Sequence, residues 1–177
     1  VKMKLLKYKV ENIVIDPVML STSGHKLIND DAINSLKKFL PNATLITPNS
    51  LEAEILIGEK INIENASNIS RKIGVKYNTS VLLKGGHIHN TNKDITDFLF
   101  LKETNKVFNI VNQKVFTNNT HGTGCSLSSS IASFLSLGFN LKTSVYKGCN
   151  YVNQAIYNGE KMTLGRGNGP INHFGIK

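Results

Sequence analysis

The sequence contains few cysteines and no long apolar run, and each absence excludes a class of protein. Only two cysteines, Cys125 and Cys149, occur among 177 residues, so we expect neither a Cys/His zinc site nor a disulfide framework. A reducing cytoplasm is therefore the expected location. No apolar run approaches the roughly 18–20 residues that a membrane span needs, which predicts no membrane partner. Residues 1–9 are basic but lack the apolar core of a signal peptide.

The positive charge is not concentrated in any one segment. A total of 21 basic and 12 acidic residues gives a net charge of +9, which nucleic acid, a membrane surface or an anionic substrate could attract. The lysines are scattered singly, however, and no stretch resembles a basic arm or a basic helix face. We interpret the charge as a Lys- and Asn-rich surface and expect no nucleic-acid partner. Steeply salt-dependent DNA binding would contradict this expectation.

Apolar patterns along the chain predict alternating strands and helices. Strand patterns cover residues 12–16, 44–47, 80–84, 96–101 and 107–111. Helical patterns cover residues 29–40, 51–57, 63–73, 126–137 and 141–158, with Gly74 expected to end the third of them. A loop is expected at residues 21–24. The alternation predicts an α/β fold with a mainly parallel sheet, and no repeat or linker divides the chain.

Polar side chains follow three of the predicted strands. Asp16 ends the first strand, Thr47 and Asn49 follow the second, Lys84 ends the third, and Glu52 comes three residues after Asn49. Ligands of open α/β sheets bind at the carboxyl ends of the strands. Carboxylates hold magnesium directly or through water, and a lysine neutralises phosphate charge, so this set suits a Mg-nucleotide. The alternative is that these residues simply end strands in solvent.

The strongest local pattern is His-Gly-Thr-Gly-Cys at residues 121–125, which opens an amphipathic helix. Glycines at a helix N-terminus allow backbone N–H groups to approach an anion, and the helix dipole favours negative charge there. The same dipole favours a thiolate at Cys125, which could accept a proton from a substrate hydroxyl. No Gly-Lys-Ser/Thr follows, so the loop is not a Walker A motif. The alternative is a glycine turn with a small buried cysteine.

The remaining cysteine and histidines show no ligand pattern. Cys149 lies within the last predicted helix and is expected in the core. His121 adjoins the glycine loop and is expected to be structural. The other four histidines have no metal-ligand spacing, and they are His25, His87, His89 and His173.

Five segments together resemble a known family. They read Asp-Pro-Val-Met at 16–19, Thr-Pro-Asn-Ser-Leu-Glu-Ala-Glu at 47–54, Leu-Lys-Gly-Gly-His at 83–87, Asn-Thr-His-Gly-Thr-Gly-Cys at 119–125, and Gly-Arg-Gly-Asn-Gly-Pro-Ile-Asn-His-Phe at 165–174. In this order they resemble the phosphomethylpyrimidine kinases, a branch of the ribokinase-like fold. The resemblance covers nearly the whole chain. It implies a three-layer α/β/α kinase domain with a mainly parallel sheet that lacks its N-terminal strands here.

The resemblance implies roles for the residues of the glycine loop. Gly122, Thr123 and Gly124 would line the anion hole of the kinase. Cys125 would be the catalytic base, at a position where most ribokinase-like kinases carry aspartate.

The resemblance also implies roles for the residues at the strand ends. Asn49 and Glu52 match an Asn-x-x-Glu element that is linked to magnesium and phosphate. Asp16 and Thr47 would lie near the nucleotide phosphates, and Lys84 would lie on the nucleotide side. Asp16 and Glu52 are thus the expected metal ligands.

The family phosphorylates 4-amino-5-hydroxymethyl-2-methylpyrimidine, and then its monophosphate, with ATP and Mg²⁺ in thiamine biosynthesis. Residues 1–177 would be the C-terminal, nucleotide-binding and anion-hole portion of a single kinase domain. Full-length members are expected to be homodimers.

The family pattern includes about a third more chain ahead of the segment that starts here. That part supplies a strand of the sheet and most contacts to the pyrimidine, so we expect the 177-residue chain alone to have little or no kinase activity. Two other interpretations stay open. One is a pyridoxal kinase of the same branch, and the other is a non-catalytic remnant that at most binds nucleotide or a partner subunit.

Overall fold

The computed structural model describes residues 1–20, 25–86, 88 and 93–176. The loop predicted at 21–24, His87 and His89 lie outside the described residues. The chain forms two compact units, each with its own buried apolar side chains. The first unit comprises Val1–Thr91 with Thr96–Ile110, and the second comprises Asn92–Ile95 with Val111–Lys177. The single-domain organisation expected from the sequence stays a prediction.

Five strands form one sheet in the order β1-β2-β3-β4-β5. They are β1 (Val14–Ile15), β2 (Leu45–Ile46), β3 (Ser80–Leu83), β4 (Asp94–Leu101) and β5 (Lys106–Gln113). The first three are parallel, with Ile15 beside Ile46 and Ile46 beside Val81. Strands β2 and β3 are fully buried, as expected for apolar strands of a parallel sheet. All five predicted strands are therefore present, and their parallel arrangement holds for the first three.

Strand β4 runs antiparallel to β3, with Leu82 opposite Leu99. The connection between the two strands, residues 84–93, is shorter than the dozen or so residues that a parallel crossover requires. An antiparallel return is therefore the arrangement that this connection permits. Strand β5 lies beside β4 at the edge of the sheet.

Four α-helices belong to the first unit, and local signals explain where they begin and end. They are α1 (Lys2–Lys7), α2 (Asp30–Phe39), α3 (Ser50–Ile57) and α4 (Ala66–Tyr77). Helix α2 begins at Asn29, whose side chain accepts a hydrogen bond from the Ala32 N–H, and it ends in a 3-10 turn that contains Pro41. Helix α3 ends at Gly58, whose φ of +82° suits glycine.

The prediction that Gly74 ends a helix is wrong. Helix α4 continues through Gly74 to Tyr77 and ends at Asn78, which adopts a φ of +51°. A Cβ atom at Gly74 would collide with the ring of Phe100. The glycine therefore allows the helix to pack closely on β4, which is a tertiary requirement that a local pattern does not reveal.

The core of the first unit lies between its sheet and its helices. Apolar side chains of β2 and β3 pack with those of α3 and α4 in one buried cluster. The cluster includes Ile46, Val81, Leu83, Leu56, Ile69 and Ile73. The buried hydroxyl of Tyr77 donates a hydrogen bond of 3.0 Å to the carbonyl oxygen of Leu56 and so joins α4 to the end of α3.

Two helices form the centre of the second unit. Helix α5 (Thr123–Ser136) and helix α6 (Leu141–Gly159) are joined through Gly138, which has a φ of +86°. The side chain of Asn140 caps α6 by accepting a hydrogen bond from the Thr143 N–H. Within the described parts of the chain, no helix combines the length and the apolar character needed to cross a membrane.

Helices α5 and α6 pack through apolar and small side chains. Leu127, Ile131 and Leu135 are buried on α5, while Val145, Cys149, Val152 and Ala155 are buried on α6. A Cβ atom at Gly148 would press on Ile131, so the glycine permits a close approach of the two helices. Cys149 is only 4% exposed, which confirms its prediction as a core residue.

Candidate functional site

The strand-end residues of the first unit converge on the carboxylate of Asp16. The ammonium group of Lys84 donates a hydrogen bond of 2.9 Å to Asp16 Oδ1, and the Thr47 hydroxyl donates one of 3.0 Å to the same oxygen. The three residues directly follow β1, β2 and β3, whose carboxyl ends meet at one edge of the sheet. The structure thus brings together three residues that lie up to 68 positions apart in the sequence.

Asn49 and Glu52 form a capping box at the start of α3. The Asn49 side chain accepts a hydrogen bond of 2.9 Å from the Glu52 N–H, and the Glu52 carboxylate accepts one of 2.8 Å from the Asn49 N–H. This reciprocal pair satisfies two N–H groups that the helix leaves without partners. The Asn-x-x-Glu spacing is therefore explained by local structure, whatever further role the two side chains have.

Glu52 is buried, and its environment disfavours the charged form. Only 2% of the residue is exposed. Burial raises the pKa of the Glu52 carboxyl, and the backbone N–H of Asn49 and the positive charge of Lys84 oppose that rise. The Asp16 carboxylate adds to it. Glu52 is thus coupled electrostatically to both Asp16 and Lys84. We call Asp16, Lys84 and Glu52 the charged cluster.

The charged cluster fits a magnesium ion that takes some of its ligands from water and phosphate. Within the described residues, no group of three or more His, Cys, Asp or Glu side chains could hold a metal alone. One oxygen of Asp16 already accepts hydrogen bonds from Lys84 and Thr47. Two carboxylates beside a lysine are compatible with Mg²⁺ that retains water and binds mainly through phosphate oxygens, which is its usual mode in phosphate sites.

Asp97 is a component of this region that the sequence analysis missed. Its buried carboxylate accepts a hydrogen bond of 2.7 Å from the N–H of Gly85, directly after Lys84. A Cβ atom at Gly85 would collide with the carbonyl oxygen of Thr96, so strand β4 passes very close to this backbone. An acidic residue in the otherwise apolar part of β4 was the available signal in the sequence.

In the second unit, α5 begins at Gly122, which adopts a φ of +91° and provides no side-chain cap. The Gly124 N–H in the first turn is therefore available to an anion, whereas the Thr123 N–H donates a long hydrogen bond of 3.4 Å to the carbonyl oxygen of Thr120. Cys125 lies in the same turn, and its free thiol belongs to an exposed residue. The four residues predicted for the anion hole and base thus share one helix turn, and Cys125 is not the buried cysteine of the alternative interpretation.

The buried amide of Asn119 holds the segment that leads to this turn. Asn119 Nδ2 donates hydrogen bonds of 2.7 Å to the carbonyl oxygens of both Gly159 and Met162. A Cβ atom at Gly169 would collide with the same side chain. Asn119 therefore joins the start of the loop to the end of α6 and to the C-terminal glycine-rich segment.

His121 contributes to the loop through its backbone. Its N–H donates a hydrogen bond of 3.0 Å to the carbonyl oxygen of Gly169, and its carbonyl oxygen accepts one of 3.2 Å from the Ile171 N–H. These contacts agree with the structural role expected for this histidine. They also show that residues 169–171 lie beside the segment that precedes Gly122.

A cleft of about 640 Å³ opens beside residues 114–119. This volume lies in the range of small-molecule sites. Besides that segment, it is lined by Glu160, Met162, Thr163, Leu164, Gly165 and Gly167. Both walls of the cleft are thus formed by segments that Asn119 joins.

Comparison with known proteins shows a family to which most of the chain is similar. A family model described as phosphomethylpyrimidine kinase matches residues 1–172. The thiamine biosynthesis bifunctional protein of Geobacter sulfurreducens is 38% identical over 176 residues, which cover 97% of this chain and 34% of that protein.

Two solved structures are similar to the chain. The phosphomethylpyrimidine kinase of Clostridium difficile 630 has a TM-score of 0.71 and 33% identity, over 87% of this chain and 61% of that one. The pyridoxal kinase of Bacillus subtilis, solved as an ADP complex, has a TM-score of 0.82 and 25% identity, over 97% of this chain and 62% of that one. These similarities confirm the ribokinase-like α/β fold, and the chain spans about three fifths of the length of both proteins.

Proposed function

Because this chain belongs to the phosphomethylpyrimidine kinase family, we propose that it carries the phosphoryl-transfer part of an ATP-dependent kinase. The acceptors are 4-amino-5-hydroxymethyl-2-methylpyrimidine and its monophosphate, in thiamine biosynthesis. One observation carries the proposal. The N-terminus of α5 has no side-chain cap, and the exposed Cys125 lies in its first turn.

The first turn of α5 stabilises the phosphoryl group during its transfer. The backbone N–H groups of Gly122, Thr123 and Gly124 donate hydrogen bonds to the phosphoryl oxygens, and the helix dipole favours the negative charge on them. The Thr123 N–H exchanges its long bond to the Thr120 carbonyl oxygen for one to phosphate. The φ of +91° at Gly122 supports this role because few other residues adopt this backbone conformation.

Cys125 acts as the general base of the reaction. Its thiolate accepts the proton of the substrate hydroxyl while the hydroxyl oxygen bonds to the γ-phosphorus of ATP. The bond between that phosphorus and the oxygen that bridges it to the β-phosphate breaks, and ADP leaves with the electron pair. The products are the phosphate ester, ADP and a protonated thiol.

The charged cluster of the first unit binds the nucleotide phosphates. Lys84 neutralises phosphate charge. Asp16 orients the Lys84 ammonium group by accepting its hydrogen bond, and Thr47 donates to the same Asp16 oxygen. Asn49 fixes Glu52 through the capping box. Mg²⁺, held by the carboxylates of Asp16 and Glu52 in part through water, would neutralise further charge on the phosphates.

Pyridoxal kinase activity is the second candidate. The observation that favours it is the higher TM-score of the pyridoxal kinase structure. The match to the pyrimidine kinase family model and the greater identity to the pyrimidine kinase structure place it second. The two candidates predict different phosphate acceptors for the same α5 turn.

The deciding experiment compares phosphate acceptors. The 177-residue chain, and the chain with any upstream residues that its gene encodes, are each incubated with ATP, Mg²⁺ and one of three acceptors: the hydroxymethylpyrimidine, its monophosphate or pyridoxal. ATP binding is measured separately by calorimetry. We expect transfer to both pyrimidines. Transfer to pyridoxal alone would support the second candidate, and ATP binding without any transfer would support a non-catalytic remnant.

Two cysteine variants test the proposed base in the same assay. Cys125→Ala is expected to lower kcat by about 10²–10⁴-fold with ATP binding retained, as loss of a general base does. Cys149→Ala is the matched control because it also removes one thiol from the second unit, but from the core. Equal activity of the two variants would contradict the role of Cys125.

The location and assembly of the protein are further proposals. We propose a cytoplasmic location, which the free and exposed thiol of Cys125 supports. A homodimer is proposed on the basis of the family. Light scattering coupled to size exclusion measures that state directly.

A further inference from the structure

The C-terminal segment contacts the α5 loop on both sides of its first turn. Before the turn, the backbone of His121 exchanges two hydrogen bonds with Gly169 and Ile171. After Cys125, the side chain of His173 reaches Ser126. The first turn of α5 therefore lies between two contacts that residues 169–173 make, one before it and one after it.

The imidazole of His173 bridges α5 and α6. Its Nε2 lies 3.4 Å from Ser126 Oγ on α5, and its Nδ1 lies 3.0 Å from the Tyr151 hydroxyl on α6. The His173 and Tyr151 rings stack, with centroids 5.9 Å apart and an angle of 22° between the planes. Because both hydroxyls can donate and accept, either tautomer of the imidazole can make both contacts.

The backbone around His173 is itself attached to α6. The N–H of Asn172 donates a hydrogen bond of 2.9 Å to the carbonyl oxygen of Ala155. The Asn158 side chain donates one of 3.1 Å to the carbonyl oxygen of Phe174. The backbone that carries the imidazole is therefore held in place, and the imidazole in turn restrains the Ser126 side chain.

The first turn of α5 requires support from outside the helix. Gly122 provides no cap, and glycine at two of the first positions lowers the cost of leaving the helical conformation. Ser126 closes the turn, because its N–H donates a hydrogen bond of 2.9 Å to the carbonyl oxygen of Gly122. A side chain that holds Ser126 stabilises this turn without occupying its N–H groups.

We propose that His173 is a positioning residue that holds the first turn of α5 in place through Ser126, and with it the Cys125 thiol. The link to catalysis rests on the function proposed for that turn. His173 is not proposed to touch substrate. Its effect is to keep the N–H groups and the thiol in one arrangement.

Hydrogen exchange of the full chain tests the contact without any need for activity. His173→Ala is expected to speed amide exchange in peptides that cover residues 126–128, the first N–H groups that donate within α5, by about three- to tenfold, as the loss of one hydrogen bond would. Peptides from α4 are the folding control and should not change. Unchanged exchange at 126–128 would overturn the proposal.

Two conservative variants separate a specific contact from general packing. The amide of His173→Gln reaches the position of Nε2 and can retain the bond to Ser126, whereas that of His173→Asn reaches only the position of Nδ1, towards Tyr151. We expect the glutamine to restore most of the protection and the asparagine to restore little. The opposite order, or equal protection, would contradict action through Ser126.

A double mutant tests whether His173 acts through its contact with Ser126. Ser126→Ala should speed exchange of the turn, and His173→Ala should add little in the Ser126→Ala background, because the two residues share one contact. Fully additive effects of the two substitutions would overturn the proposal.

Kinetics then test the consequence for catalysis. In the form of the protein that transfers phosphate, His173→Ala should lower kcat while the KM for ATP changes less, since the nucleotide contacts of the first unit are untouched. A loosened turn with unchanged kcat would contradict the positioning role. Absence of transfer by the wild-type protein would refute the proposed function, whereas the exchange experiments would still decide the contact.

Discussion

The ammonium group of Lys84 lies 2.9 Å from the carboxylate of Asp16, although 68 positions separate the two residues in the sequence. Their side chains are only 18% and 13% exposed. A partly buried ion pair is screened less by solvent than a surface pair, so its partners depend on each other. This pair links the ends of β1 and β3 and is the centre of the charged cluster in the first unit.

A double-mutant cycle should detect this dependence. Asp16→Asn and Lys84→Met, singly and together, are expected to show a coupling energy of about 1–2 kcal/mol in urea unfolding, between the values of exposed and fully buried pairs. The control is the exposed pair Glu59–Lys72, for which we expect at most about 0.5 kcal/mol. Equal coupling in both pairs would show that burial does not strengthen the Asp16–Lys84 contact.

Glu52 should make stability depend on pH in the direction opposite to that of an acid whose folded pKa is lowered. Its folded pKa is raised above the usual 4.5 by burial, so the folded state binds more protons than the unfolded state in the window above 4.5. Wild-type stability, measured relative to Glu52→Gln, should therefore fall as pH rises from about 4.5 through the raised pKa. Urea unfolding of both proteins between pH 4 and 8 measures this difference.

Glu54, on the same helix, is the matched control with the opposite sign. Burial raises its pKa, but hydrogen bonds from the Lys60 ammonium and the Ile61 N–H outweigh burial, so the net pKa is lowered from 4.5. Wild-type stability relative to Glu54→Gln should therefore be fully present above pH 4.5 and be lost as pH falls through the lowered pKa. The same pH dependence for both variants would contradict the environments described for the two carboxyls.

Two adjacent glycines should respond very differently to alanine. A Cβ atom at Gly85 would collide with the Thr96 carbonyl oxygen, whereas one at Gly86 would meet nothing within 4 Å. Gly85→Ala should lower the free energy of unfolding by about 3 kcal/mol or more, because the backbone of β4 must move. Gly86→Ala should change it by no more than about 1 kcal/mol. Thermal unfolding of the two variants measures the contrast, and similar losses would refute the close approach of β4.

Two adjacent asparagines offer a similar comparison in the second unit. Asn119→Asp replaces a buried amide donor with an oxygen that faces the carbonyl oxygens of Gly159 and Met162. We expect a loss of about 2–5 kcal/mol, since a buried group loses its partners and meets like dipoles. Asn118→Asp, on an exposed residue, should change stability by no more than about 0.5 kcal/mol. Unfolding followed by circular dichroism measures both, and equal stabilities would contradict the described role of Asn119.

Local signals in the sequence were sufficient for most element boundaries. The helix predicted at 29–40 begins at Asn29, and the helix predicted at 51–57 ends at Gly58, because capping depends on residues within one turn. Gly74 was misinterpreted because its role is to make room for Phe100, which lies on a strand far along the chain. A glycine that ends a helix and a glycine that packs a helix look the same in a local pattern.

The candidate site was predictable where neighbouring strands of a parallel sheet end. Asp16, Thr47 and Lys84 could be expected together because the carboxyl ends of such strands meet at one edge. Asn49 and Glu52 were harder to interpret, since Asn-x-x-Glu is also the signature of a capping box. The catalytic and binding roles assigned to these residues stay predictions until the kinase and cysteine assays are done.

By itself, the sequence determined the order of the strands and of all the helices except α1, the glycine turn before Cys125 and the family to which the chain belongs. Apolar periodicity, capping residues and short motifs are local, so they can be read without knowledge of the fold. Only the tertiary structure decided the Asp16–Lys84 pair, the contact of Asp97 with Gly85 and the bridge of His173 to Ser126. Those contacts join residues 68, 12 and 47 positions apart, and they form only when packing of the elements brings such side chains within hydrogen-bonding distance.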